Sequence, residues 1–256
     1  MEKCWNRYSD EGDDLGKKTI KRIYEAVLDF FFPPSCPICG ETVGKNVEPC
    51  EKCKIKIAYI NYPTCLKCGK EISDEDEEFC KDCRENKRSY QKGFPVIKYI
   101  EPMDESMAAF KYHNKRTYAK FYAREIVRKH GREMLDIKPD ILVPVPVHKT
   151  KLHKRGYNQA EVLARELATY LNVPVEPDLI KRNIKTSPQK ELGTKAREEN
   201  IKKAFNSTDK IVKYRCALLV DDIYTTGATI EACTKILHEQ GIKDVYYTSV
   251  CIGKGE

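Results

Sequence analysis

The sequence has no apolar stretch approaching the roughly 20 residues that a membrane-spanning helix requires, so no helical membrane span is predicted. It also lacks a recognisable export signal. Its start, MEKCWNRYSDEGDDLG, is polar and acidic where a basic segment and an apolar run would be needed. Tryptophan occurs once, as Trp5, too isolated to found a stacking surface. The cysteines are not spread along the chain, which favours a local metal module over a chain-wide disulfide framework. Of twelve, only Cys4, Cys216, Cys233 and Cys251 fall outside the stretch from Cys36 to Cys83. The predicted compartment is the reducing cytoplasm.

Within that stretch are four CxxC pairs, at Cys36 and Cys39, Cys50 and Cys53, Cys65 and Cys68, and Cys80 and Cys83, separated by 10, 11 and 11 residues. Each CxxC forms a tight turn that aims two sulfurs at one ion, and two such turns complete a tetrahedral site. Consecutive pairing puts Cys36, Cys39, Cys50 and Cys53 on one zinc and Cys65, Cys68, Cys80 and Cys83 on another; the spacing also allows interleaving. Gly40 and Gly69 directly follow a second cysteine, where a positive φ is useful. With sulfur ligands alone no coordination position is left for water, so the zinc is predicted to be structural rather than catalytic. Such a module can grip nucleic acid or a protein partner, or simply cap the larger domain.

The formal charge of +7 invites a nucleic-acid reading, but eight thiolates and two divalent ions together subtract four, leaving +3. Local charge is more informative. From Lys111 to Arg132 the chain is strongly basic and carries interleaved tyrosines. Helical spacing predicts that Tyr118, Phe121 and Tyr122 face inward and that Lys120, Arg124 and Arg128 form a solvated row. That row, with Lys154 and Arg155, supplies the candidate contacts to single-stranded nucleic acid.

Periodicity divides the chain into an N-terminal extension with an amphipathic helix (1–32, the helix over 17–32), a cysteine module (33–90) and an α/β domain (91–256). In the last of these, strands are predicted at 96–100, 141–147, 217–220 and 245–250. Helices are predicted at 117–129, 158–171 and 230–239, and 181–203 reads as a loop. The strands are apolar throughout, the pattern of a parallel sheet covered by helices on both faces.

The stretch LLVDDIYTTGAT, residues 218–229, combines a buried strand, an acidic pair and a hydroxyl-rich turn into a helix. In parallel α/β sheets ligands bind beyond the carboxyl ends of the strands. Thr225, Thr226, Gly227, Ala228 and Thr229 are suited to curl round a phosphate at the helix N-terminus. Asp221 and Asp222 can accept hydrogen bonds from vicinal hydroxyls, so the pattern suits a ribose 5-phosphate.

Residues 217–229 resemble the fingerprint of type I phosphoribosyltransferases. The chain as a whole resembles the competence protein F family through FFPPSCPIC at 31–39, FKYHNK at 110–115, PVPVHKTKLHKRGYNQAEVLARELA at 144–168 and the spaced motif from Arg182 to Phe205. The resemblance implies a type I phosphoribosyltransferase-like parallel sheet with flanking helices, preceded by a double zinc ribbon. It implies that Asp221 and Asp222 hold the ribose of phosphoribosyl pyrophosphate, with Asp222 also assisting catalysis, and that 225–229 hold its 5-phosphate. His148, Lys149, Thr150 and Lys151 would form the pyrophosphate loop, Mg2+ would bridge substrate oxygens, and 185–197 would serve as a lid. It further implies a part in DNA uptake during natural transformation, with single-stranded DNA and an uptake helicase or membrane machinery as partners, at the cytoplasmic side of the membrane. The acceptor is not legible. The alternative is a non-catalytic nucleic-acid-binding protein that retains the phosphate site.

Overall fold

In the computed structural model, residues 33–44, 46–182, 204–207 and 213–253 are described. The amphipathic segment 17–32 and the lid segment 185–197 lie outside them.

The cysteine module is a structural repeat. In each half a CxxC knuckle closes on itself, with Gly40 N donating to Cys36 O (3.0 Å) and Gly69 N to Cys65 O (2.8 Å). The two glycines adopt φ +77° and +72°. Each second pair starts a short helix, α1 (Glu51–Lys54) behind Cys50 and α2 (Lys81–Glu85) behind Cys80. The remaining elements are β1 (Gly93–Lys98), α3 (Met103–Tyr112), α4 (Tyr118–Asp136), β2 (Ile141–Pro144), α5 (Lys149–Arg155), α6 (Gln159–Leu171), β3 (Ile180–Arg182), β4 (Phe205–Ser207), β5 (Cys216–Tyr224), α7 (Ala228–Glu239) and β6 (Asp244–Ile252).

Strands β1, β6, β5 and β2 form, in that order, a sheet whose pairings are all parallel, while β3 and β4 pair antiparallel to each other. Successive side chains of a strand face opposite sides. Leu142, Leu218 and Val220 therefore join a core with α3, α4 and α6, whereas Ile141, Val143, Ala217 and Leu219 join one with α7. The cysteine module is built into both cores and is more than a cap. Cys36, Ile38, Val47, Cys53 and Ile57 of its first half enter the former; Ile60, Cys65, Cys68, Ile72 and Cys80 of its second half enter the latter.

Several boundaries differ from expectation. The strand predicted at 96–100 runs from Gly93 and includes Pro95; β1 ends the sheet order, a position that tolerates a residue without an N–H. The helix predicted to stop at Lys129 continues to Asp136, since Gly131 does not break it. The strand at 141–147 ends at Pro144. Lys181, assigned to a loop, is in β3. Asn158 caps α6, its side chain accepting from Ala160 N at 3.1 Å, and left-handed Asn172 ends it. No helix among the described residues is long and apolar enough to cross a membrane.

Candidate functional site

The cysteines group as consecutive pairing predicts. Cys36, Cys39, Cys50 and Cys53 form one cluster and Cys65, Cys68, Cys80 and Cys83 the other, with the ligand atoms of each within 4.8 Å of one another. The Sγ–Sγ separations of 3.9 Å for Cys39 and Cys50 and 3.6 Å for Cys68 and Cys80 match the edge of a tetrahedron with Zn–S bonds of about 2.3 Å, which is about 3.8 Å. Both clusters fit structural zinc. The backbone supports the first of them, where Cys50 N donates to Cys36 Sγ (3.3 Å).

Asp221 and Asp222 lie inside β5 rather than beyond its end. The strand continues through Ile223 and Tyr224, which pair with Cys251 and Ile252 of β6. Both acids are buried. Asp222 N donates to Asp221 Oδ1 (2.8 Å). Burial first, and then the Asp222 carboxylate, push the Asp221 carboxyl up to about 8. The counterion of Asp222 is Lys111 of α3, its Nζ 3.1 Å from Asp222 Oδ2. Burial pulls the Lys111 ammonium down, but the Asp222 and Asp221 carboxylates more than offset this, and the net shift is upward.

The turn after β5 places Thr225 and Thr226 at the surface. Gly227, φ +77°, caps α7 without a side-chain hydrogen bond. A Cβ at Gly227 would lie 2.2 Å from Tyr224 Oη, so both the left-handed backbone and the close approach require glycine. The N-terminal N–H groups of α7 follow at once, a disposition favourable to an anion.

His148 to Lys151, expected as a loop, instead open helix α5. His148 is its N-cap, accepting from Thr150 N at 3.2 Å, and this capping lets so short a segment turn. The segment follows β2, which pairs with β5 up to Pro144 and Val220. It is thereby carried alongside the acidic pair. Partial burial first, then the charges of Arg182, Arg155 and Lys111, hold Lys151 below the usual lysine range, so these cations share one neighbourhood.

Lys111 and Arg182 were not expected at the site, although both fall in the quoted motifs. A signal for Lys111 exists: it follows Met103 and Met107 at helical spacing and so continues the buried face of α3.

The basic row is less free than its spacing suggests. Lys120 is exposed, but Arg124 Nη2 donates to Val47 O (3.1 Å) and pairs with Glu48 (3.3 Å). Arg128 donates twice to Glu125 Oε2 and lies over the Tyr59 ring. Two of the three cations thus hold secondary and tertiary structure, because the first ribbon packs along α4 where the sequence read solvent. Lys154 is exposed; Arg155 donates to Gln159 Oε1 (2.8 Å) and to Tyr112 Oη (3.0 Å).

Comparison with known proteins agrees with this architecture. Residues 27–84 match the family model of the double zinc ribbon domain, and residues 118–254 that of the phosphoribosyl transferase domain. Competence protein F of Haemophilus influenzae is 31% identical over 226 residues, covering 84% of this chain and 95% of that protein. DNA utilization protein YhgH of Escherichia coli K12 is 23% identical over 84% of this chain and 89% of its own length. Competence protein ComFC of Bacillus subtilis is 26% identical over 75% of this chain and 78% of that protein. The chain therefore belongs to the competence protein F family, with an N-terminal double zinc ribbon and a C-terminal phosphoribosyltransferase-like α/β domain.

Proposed function

We propose that the chain binds phosphoribosyl pyrophosphate with magnesium and transfers its ribose 5-phosphate to a nitrogen acceptor, in a role connected with DNA uptake. The observation that carries this reading is the succession along β5 of a buried carboxylate pair, a left-handed Gly227 and the N-terminus of α7. The acidic pair suits the 2- and 3-hydroxyls of a ribose, and the loop 225–229 suits its 5-phosphate. His148 to Lys151, together with Lys111 and Arg182, are the groups for the pyrophosphate. The DNA-uptake part draws on the names of the relatives, competence protein F and DNA utilization protein.

In the reaction the bond from C1 to the pyrophosphate oxygen breaks with its electron pair leaving on oxygen, and a nitrogen lone pair forms the new bond to C1. Negative charge gathers on the leaving group, where Lys151 and Lys111 oppose it. Asp222 faces the positive charge that develops on the ribose. Its burial beside Lys111 keeps it oriented before substrate arrives. The hard carboxylate oxygens of Asp222 fit magnesium, which would supply further neutralisation of the substrate's charge when bound.

Calorimetric titration with phosphoribosyl pyrophosphate and Mg2+ tests the site. Saturable binding that disappears in Asp221→Asn/Asp222→Asn supports it; absence of binding by zinc-loaded wild type overturns it. Release of pyrophosphate in the presence of candidate bases then tests turnover.

A second reading, binding of single-stranded DNA, is favoured by a cavity of about 810 Å³ whose lining includes His113, Lys115, Lys120, Arg124 and Tyr170. Cations with an accessible aromatic ring suit a phosphate backbone and a stacked base. Affinity for an oligonucleotide should fall steeply with salt and in Lys115→Ala/Lys120→Ala; salt-independent binding counts against it.

A further inference from the structure

We propose that Arg88, Ser89 and Tyr90, the segment leaving the second zinc ribbon, are positioning residues for the phosphate loop, so that the ribbon serves as a splint for anion binding. The proposal rests on the reading of residues 225–229 given above.

Three consecutive residues grip three successive parts of the strand, loop and helix. Arg88 Nη2 donates to Thr226 O at 2.7 Å. Ser89 donates from its backbone N to Glu231 Oε2 and from Oγ to Glu231 Oε1, both at 2.7 Å. Tyr90 Oη and Tyr224 Oη lie 2.9 Å apart.

Each grip has a consequence for an anion. The peptide joining Thr226 to Gly227 is planar, so its C=O and N–H point in opposite directions. With the carbonyl held by Arg88, the Gly227 N–H is turned away from the Arg88 guanidinium. Glu231 lies in the first turn of α7, where its charge would oppose a phosphate. Ser89 engages both of its oxygens, and Lys235 pairs with it at 3.2 Å, which counters that repulsion. Tyr224 is the ring beneath Gly227.

The grip is anchored in the metal module itself. Tyr247 stacks on Tyr224 with centroids 4.9 Å apart, meets Tyr90 edge-on at 5.0 Å, and donates to Cys68 O (2.8 Å). Cys68 belongs to the second cysteine cluster, so a continuous buried path runs from that cluster to the ring under the phosphate loop.

The test combines a ligand-free and a ligand-dependent readout on the full zinc-loaded chain. In Arg88→Met, amide hydrogen exchange of peptides spanning 225–231 should accelerate. Affinity for ribose 5-phosphate should fall about tenfold, the scale of losing one hydrogen bond from a charged donor, while affinity for pyrophosphate stays within about twofold. Arg88→Lys should restore part of the loss, since it keeps the charge with a different donor geometry. Unchanged exchange in both Arg88→Met and Ser89→Ala/Tyr90→Phe overturns the proposal, as does an equal loss for both ligands. If exchange accelerates but wild type binds no ribose 5-phosphate, the positioning stands and the ligand reading falls. If wild type binds it and the variants match wild type in exchange and affinity, the ligand reading stands and the positioning falls.

Discussion

Lys111 of α3 and Asp222 of β5 form an ion pair at 3.1 Å, with the lysine side chain 18% and the aspartate 6% exposed. Two charges withdrawn this far from water depend on each other. The pair also ties a helix next to the first ribbon to the strand that carries the candidate ligand site. Removing the lysine leaves an uncompensated buried carboxylate. Lys111→Met is therefore expected to lower the unfolding free energy by about 3 kcal/mol, read from urea denaturation, and to weaken pyrophosphate binding as well.

Asp221 makes stability depend on pH with a definite sign. Its folded value of about 8 lies above the ordinary 3.8, so the folded chain holds the proton more tightly than the unfolded chain. The contribution is fully present below about pH 4 and is lost as pH rises toward about 8. Asp221→Asn resembles the protonated form and keeps an acceptor for Asp222 N. Its denaturation midpoint should fall less than that of wild type between those limits, and parallel profiles would contradict the assignment.

Gly227→Ala forces a side chain into a left-handed residue and toward Tyr224 Oη. The backbone alone costs about 1–2 kcal/mol. Since the loop must shift to admit the methyl group, affinity for ribose 5-phosphate should drop more than stability does. Calorimetry beside thermal melting separates the two effects.

Metal content offers a test of the module. Wild type should hold about two zinc ions per chain, and Cys65→Ser/Cys68→Ser about one, by atomic absorption. Because Cys65 and Cys68 enter the core that α7 also lines, that variant should show lower melting temperature and faster hydrogen exchange in α7. A module independent of the sheet would leave α7 unchanged.

Local pattern made much of this protein readable. The CxxC spacing announced two four-cysteine sites, since two turns of that kind suit one tetrahedral ion, while the structure decided that consecutive pairs share each site. The apolar runs announced a parallel sheet, and the acids with the threonine turn singled out a candidate site. The spacing alone did not reveal that Pro95 sits within an edge strand, that β5 reaches Tyr224, or that His148 caps a helix. Each of these depends on what the neighbouring strand or cap supplies.

By itself the sequence determined the cysteine pairs, the acidic pair, the glycine at the turn and the apolar faces, because each is a matter of residue type at short separation. Tertiary structure alone decided that the ribbons enter the two opposite cores, that Arg124 meets Val47 instead of solvent, that Lys111 meets Asp222, and that Arg88 holds the carbonyl of Thr226. Those contacts follow from strand order and from the path by which the chain returns to the sheet. Helical and strand periods fix the face a side chain occupies; only packing fixes what lies opposite.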